Sequence, residues 1–320
     1  MTSIAIPKTG IRFVPSTEPL ISNRRLSTTR LMSGLYALLA AAAFFTVDHV
    51  AHAAESVGRY ADVNGLHMYY EVHGEGTPIL LIHGGLCTVD ACFGDLIEKL
   101  ASTRKVIAYE YQGHGHTADI DRPLRFDLLA DDASKFLKVL NIQRADVLGF
   151  SDGAVVAFQL ARTHPEQVKS LITISLFTTR DGAYPELFAG TKTLDANKLK
   201  QTPIYDAYRK VAPKPEQFDQ LCAKVSAMTD GFQDVPIDEV RTLKMPTMFI
   251  LGDADMVKPE HAVALFRAVG GGIFGDMVAP QPSRLAILPG TTHFGLVSRS
   301  KWIAEMVTEF LQPAAKNAMK

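Results

Sequence analysis

From about residue 60 onward, two kinds of pattern alternate along the chain. Short, mostly apolar runs occupy 78–82, 105–111, 145–150, 170–177, 247–251 and 284–288. Runs of that length without polar alternation suit strands buried on both faces, as in a parallel sheet covered by helices. Between them lie stretches with apolar residues at helical spacing. In 126–140, Leu128, Leu129, Ala133, Phe136, Leu137 and Leu140 fall on one side, and Asp131, Asp132, Lys135 and Lys138 on the other. Helices are also expected at 154–162, 259–269 and 298–311, and 95–100 reads as the end of one. Asn64-Gly65, between strand-like segments 60–63 and 66–72, is a two-residue hairpin signal. The alternation predicts an α/β fold built on a doubly wound, mostly parallel sheet.

The alternation breaks at 178–244. That stretch is helical in pattern at 204–211 and 215–228 and carries no convincing strand. It is expected to form a helical cap over the carboxyl edge of the sheet. The core then divides into a first part, 54–177, and a second, 245–320. The first 53 residues have a different character. Arg24, Arg25 and Arg30 precede an apolar run at 31–47, followed by Ala51-His52-Ala53. Basic, apolar and small-x-small segments in that order describe a secretory signal, and cleavage after Ala53 would leave Ala54-Glu55-Ser56 at the front. Other readings stay open. The apolar run could remain as an anchor, at the short limit for a span. Arg24-Arg25 could be a twin-arginine address, although Leu26-Ser27-Thr28 matches poorly, and Met32 is an alternative start. The expected location is exported, periplasmic or secreted, with membrane contact only if the segment is retained.

Composition narrows the function. A formal net charge of -1 leaves no basic excess for nucleic acid, and 47% hydrophobic residues can fill a large core. Three cysteines, Cys87, Cys92 and Cys222, leave at least one free thiol in a monomer. Cys87 and Cys92 are close enough for a disulfide in an oxidising compartment, and inert thiols are the plainer reading.

The chemistry centres on Val147-Leu148-Gly149-Phe150-Ser151-Asp152-Gly153. A G-x-S-x-G pattern between a strand and a helix is a nucleophile elbow: the sharp turn exposes the serine hydroxyl and needs glycine where the chains approach. The N–H of Asp152 then points where an oxyanion would form. Two later strand ends deliver Asp253 and Asp255, then His293. A serine needs an imidazole to take its proton, and the imidazole needs a carboxylate to fix its tautomer.

These residues resemble the α/β-hydrolase family of capped serine hydrolases over nearly the whole of 54–320. The likeness rests on His83-Gly84-Gly85, Gln112-Gly113-His114-Gly115, Gly149 to Gly153, Gly252-x-x-Asp255 and Pro289-Gly290-x-x-His293, in that order. The resemblance implies Ser151 as nucleophile, His293 as base and, by the Gly252-x-x-Asp255 spacing, Asp255 as acid; Asp253, nearer the strand end, is expected to cap or orient the loop and is the alternative acid. It implies Gly85 as the second oxyanion donor, with Leu86 the alternative. Serine at the elbow excludes the dehalogenase and epoxide hydrolase branch, which uses aspartate there. The Asp152 side chain is expected to point away from the site. His83, His114 and His116 suggest a metal at first sight, but the Gly113-His114-Gly115 turn is a metal-free family feature and ligand spacing is lacking. No metal and no cofactor are expected. Glu260 and His261 are expected to make surface or cap contacts. Leu187, Phe188, Tyr205, Tyr208 and Phe218 would line the pocket or pack within the cap.

The expected function is hydrolysis of a small carboxylic ester or lactone with an apolar portion, through an acyl-enzyme, with a small acyl molecule as the partner. Amide or C–C bond hydrolysis, peroxide-dependent perhydrolysis and a non-catalytic binding role remain alternatives.

Overall fold

Among the described residues, eight strands form one sheet in the spatial order β1-β2-β4-β3-β5-β6-β7-β8. The computed structural model describes residues 58–278 and 281–312. The expected export signal at 1–53 and its cleavage point lie outside them. β1 (Arg59–Val63) and β2 (Leu66–His73) pair antiparallel around Asn64 and Gly65, both at positive φ, as the tight turn requires. Then follow β3 (Pro78–Ile82), α1 (Val89–Ala101), β4 (Lys105–Tyr109), α2 (Phe126–Val139), β5 (Ala145–Phe150), α3 (Asp152–Thr163) and β6 (Val168–Ile174). The insertion contributes α4 (Pro185–Lys192), α5 (Ala196–Leu199), α6 (Pro203–Val211), α7 (Phe218–Asp230) and α8 (Ile237–Val240). The core resumes with β7 (Thr247–Ala254), α9 (Pro259–Ala268), β8 (Arg284–Thr292) and α10 (Ser300–Leu311). β2 also pairs antiparallel with β4, and every pairing from β4 to β8 is parallel.

The apolar runs explain the layers. Alternate residues of a strand face opposite sides. Leu80 and Ile82 of β3 join one core with Phe136 of α2 and Phe158 of α3. Ile79 and Leu81 join the other, with Phe93 of α1 and Ile303 of α10. Both faces are therefore covered, and each fully buried Leu or Ile contributes roughly 2 kcal/mol. Because β3 lies between β4 and β5, the chain leaves it first to one side and then to the other. The crevice beyond the carboxyl ends at such a switch point is where open α/β sheets place ligands.

Several boundaries differ from the sequence expectation for identifiable reasons. Helix α1 starts at Val89, because Thr88 caps it by accepting from the Ala91 N–H at 3.2 Å. β6 stops at Ile174 and not at 177, because Ser175 takes φ +65°. β7 and β8 run on past a register shift until Ala254 meets Thr292, so Gly252 and Asp253 lie inside a strand. The insertion holds helices at 185–192 and 196–199 that the pattern did not reveal, and no named strand.

Lys224 of α7 latches the cap to the core, with Nζ 2.7 Å from Asp119 Oδ2 and 2.8 Å and 2.9 Å from the Ile120 and Arg122 carbonyls. Cys87 and Cys92 form a disulfide, which corrects the reading of them as inert thiols. It ties the loop after β3 to the first turn of α1. Cys222 is a free, buried thiol, its pKa pushed up to about 12 by burial. Among the described residues no helix is long and apolar enough to cross a membrane.

Candidate active site

β5 ends at Phe150, and Ser151 follows at φ +57°, a left-handed conformation that ordinary side chains rarely adopt. Helix α3 begins at the next residue. Gly149 and Gly153 make that turn possible. A Cβ on Gly149 would overlap the Gly153 carbonyl, and one on Gly153 would overlap the carbonyls of Ile82 and His83. The glycines therefore let α3 pack directly against the end of β3, and the serine is left at the crest.

His293, just after β8, places Nε2 3.0 Å from Ser151 Oγ. Its Nδ1 lies 2.9 Å from Asp255 Oδ1, in the turn after β7. Three strand ends thus converge on one proton path. Asp255 is buried, and burial works against its charge. Hydrogen bonds from His293, Ser175 and the Gly252 N–H, with the imidazole's charge, outweigh that and hold the carboxyl below its usual range. With Asp255 ionised, the ring's Nδ1 carries the proton and Nε2 accepts from the serine, the tautomer that activates a hydroxyl. Asp253 stands apart. Its carboxylate accepts from the Gly290 and Thr291 N–H groups at 2.9 Å and 3.0 Å, bracing the end of β8 that leads to His293.

Beneath the cap, a cavity of about 180 Å³ opens onto Ser151 and His293. Its walls are mostly apolar and include Phe177, Leu187, Ile204, Val225 and Met256.

The α/β-hydrolase fold family matches residues 77–204. The putative carbamate hydrolase RutD of Azorhizobium caulinodans is 31% identical over 135 residues, 42% of this chain and 51% of that protein. This match thus spans about half the length of that relative. Human serine hydrolase BPHL is 30% identical over 264 residues, 78% of this chain and 84% of that protein. The chain belongs to the α/β-hydrolase family. The enol-lactonase of Burkholderia xenovorans LB400 has the same fold, with a TM-score of 0.60 at 20% identity over 79% of this chain and 100% of that one.

In this α/β-hydrolase the loop after β3 is held by histidines. His114 is fully buried, and burial lowers its pKa to about 4, so it stays neutral. Its Nδ1–H donates to the Gln112 carbonyl at 2.9 Å, leaving Nε2 to accept the Leu86 N–H at 3.0 Å. His83, lowered to about 3 by burial, donates from Nδ1 to the Gly84 carbonyl at 2.7 Å and stacks on Tyr111. His116 meets Glu110 at 2.9 Å. Each histidine of the group is thus engaged in shaping a loop. His261 accepts the Thr178 N–H at 3.1 Å, where the chain leaves the sheet for the cap.

The Asp152 side chain departs from expectation. It does not point away: its carboxyl lies against Gly85, where a Cβ would overlap Oδ2, and it borders the cavity. Burial pushes its pKa up to about 6. Of the five cap side chains singled out in the sequence, Leu187 borders the cavity. Phe188 packs edge-on against Phe177, and Tyr205 and Tyr208 pack on Phe218 inside the cap. Sequence reasoning missed Ser175, whose Oγ lies 2.8 Å from Asp255 Oδ1 and 2.9 Å from His293 Nδ1. The only signal for it was a serine near the end of an apolar strand.

Proposed function

We propose that this hydrolase cleaves small, uncharged carboxylic esters or lactones through an acyl-enzyme on Ser151. The observation that carries the reading is the continuous hydrogen-bonded path from Ser151 Oγ through His293 to Asp255. His293 Nε2 takes the serine proton as Oγ attacks the carbonyl carbon. The tetrahedral oxyanion is held by the N–H groups of Gly85 and Asp152, because the Leu86 N–H is committed to His114. Asp255 stabilises the imidazolium until its proton passes to the leaving alcohol. Water, deprotonated by the same nitrogen, then releases the acid and frees Ser151.

The apolar cavity favours an aliphatic or aromatic acyl group, and the Asp152 carboxylate on its wall disfavours an anionic one. The name of the human relative, a serine hydrolase, supports the serine nucleophile, and that of the carbamate hydrolase supports attack on an acyl carbon. A fluorophosphonate should label Ser151 in the wild-type protein and not in Ser151→Ala. A panel of short-chain chromogenic esters and small lactones should then turn over faster than matched amides, C–C substrates, or acetate with peroxide. Absence of an adduct on Ser151 would refute the reading.

Residues 1–53 fit an export signal, and the Cys87–Cys92 disulfide accords with an oxidising compartment. N-terminal sequencing of exported protein should begin at Ala54.

A further inference from the structure

Ser175 stands one residue beyond the end of β6, fully buried. Its N–H is bonded to the Ile250 carbonyl of β7 at 2.7 Å, which fixes the backbone beside the acid turn. Its φ of +65° puts a non-glycine residue in the left-handed region. That conformation costs on the order of 1 kcal/mol where glycine would be strain-free. Five non-glycine residues among the described ones have positive φ. Asn64 and Asn141 are turn residues of a type that tolerates it. The other three, Leu86, Ser151 and Ser175, follow β3, β5 and β6 around the active site.

The hydrogen bonds indicate what the strained serine does. Asp255 Oδ1 is within reach of three donors: Ser175 Oγ at 2.8 Å, the Met256 N–H at 2.6 Å and His293 Nδ1 at 2.9 Å. Ser175 Oγ is also 2.9 Å from His293 Nδ1. The hydroxyl has one proton and directs it to the carboxylate, because the ring nitrogen carries its own. A hydroxyl lone pair then faces the ring N–H. The imidazole is thereby gripped at Nδ1 from two sides, by the turn after β7 and by the end of β6.

We propose that Ser175 is a positioning residue whose hydroxyl clamps Asp255 and the imidazole of His293 together, keeping Nε2 directed at Ser151. This rests on the serine hydrolase reading above. The charged groups facing the imidazole are Asp255, from the turn after β7, and Asp152, from the head of α3. Removing the hydroxyl strips one donor from Asp255. The carboxylate then pulls harder on the imidazolium, which outweighs the loss of a weak second acceptor for the ring N–H.

The test compares Ser175→Ala with Ser175→Gly, which also lacks the hydroxyl but accepts positive φ without strain. Both should lose roughly tenfold in kcat on a chromogenic ester, with KM within about twofold, because the damage falls on proton transfer and not on binding. The acid limb of the kcat profile should move up by about half a pH unit in both. By proton NMR, the downfield imidazole N–H signal should broaden through faster exchange in both variants, whether or not an ester is turned over. An unchanged NMR signal in either variant would overturn the clamp. So would a glycine variant that matches wild type while the alanine variant is impaired, since backbone conformation and not the hydroxyl would then be what matters. The NMR comparison decides the clamp even if Ser151 takes no fluorophosphonate, so its failure is distinguishable from failure of the hydrolase reading.

Discussion

Replacing Asp255 with asparagine separates the two aspartates at the end of β7. Asp255 is 5% exposed and accepts from Ser175, Met256, Gly252 and His293. An amide of the same shape can keep its oxygen at the Oδ1 position, facing three donors. Its nitrogen must then face the Gly252 N–H, a buried donor–donor conflict that costs about 1–3 kcal/mol of stability. The effect on rate is larger. In the proposed mechanism, the imidazolium formed as Ser151 attacks would lose a negative partner about 4 Å away between charge centres, worth about 4 kcal/mol at an effective dielectric constant of 20. That corresponds to roughly a thousandfold in kcat. KM should change little, because the charge develops only after binding. Asp253→Ala, by contrast, removes two hydrogen bonds that brace the approach to His293 from an exposed position and should keep kcat within roughly tenfold. The assay is steady-state ester hydrolysis alongside the rate of fluorophosphonate labelling, with thermal unfolding to confirm a folded variant. A folded Asp255→Asn protein with near wild-type kcat, or an inactive Asp253→Ala protein, would refute the reasoning.

Two further outcomes follow from the elbow. Burial raises Asp152 to about 6 from the 3.8 of an exposed aspartate, so the folded state holds this proton more tightly than the unfolded chain. Its contribution is therefore most favourable below pH 3.8 and is lost as pH rises through about 6. Asp152→Asn should show a Tm difference from wild type that grows in the variant's favour between pH 4 and pH 6, and a flat difference across that range would count against the burial argument. Gly153→Ala drives a Cβ into two main-chain carbonyls that have no rotamer to escape through. It should destabilise by about 3 kcal/mol, roughly 8 °C in Tm for a domain of this size, read by calorimetry.

How much of this was legible in the chain varies with the physics behind each feature. Strands β3 and β5 stand where their apolar runs begin and end, at Pro78–Ile82 and Ala145–Phe150, because burial on both faces admits a polar residue only when it is paired, as Asp146 of β5 is with Arg104. The elbow was legible because close approach of α3 to β3 demands glycine at fixed offsets. The meeting of Ser151, His293 and Asp255 followed from strand order, since parallel strands bring their carboxyl ends to one edge. Features set by tertiary neighbours were not legible. The register shift that carries β7 to Ala254 depends on pairing with β8. Whether Tyr205, Tyr208 and Phe218 face the cavity or one another depends on how the cap helices rotate. Ser175 was hidden because nothing local distinguishes a strand-end serine at positive φ from one in extended conformation. Asp152 was misplaced because its orientation is set by the absence of a side chain on Gly85, a residue far away in sequence.

The left-handed residues at 86, 151 and 175 bear on any attempt to make this enzyme hardier. Glycine adopts such backbone angles without strain, and at exposed Asn141 the exchange would carry little penalty, whereas at Asn64 it would forfeit side-chain bonds to Asp131, Asp132 and Lys135. At Leu86 the same exchange would loosen the loop beside Gly85, and at Ser151 and Ser175 it would remove the hydroxyls that the proposed mechanism uses. Robustness gained there would be offset in turnover, so engineering for heat tolerance is better directed to the far edge of the sheet.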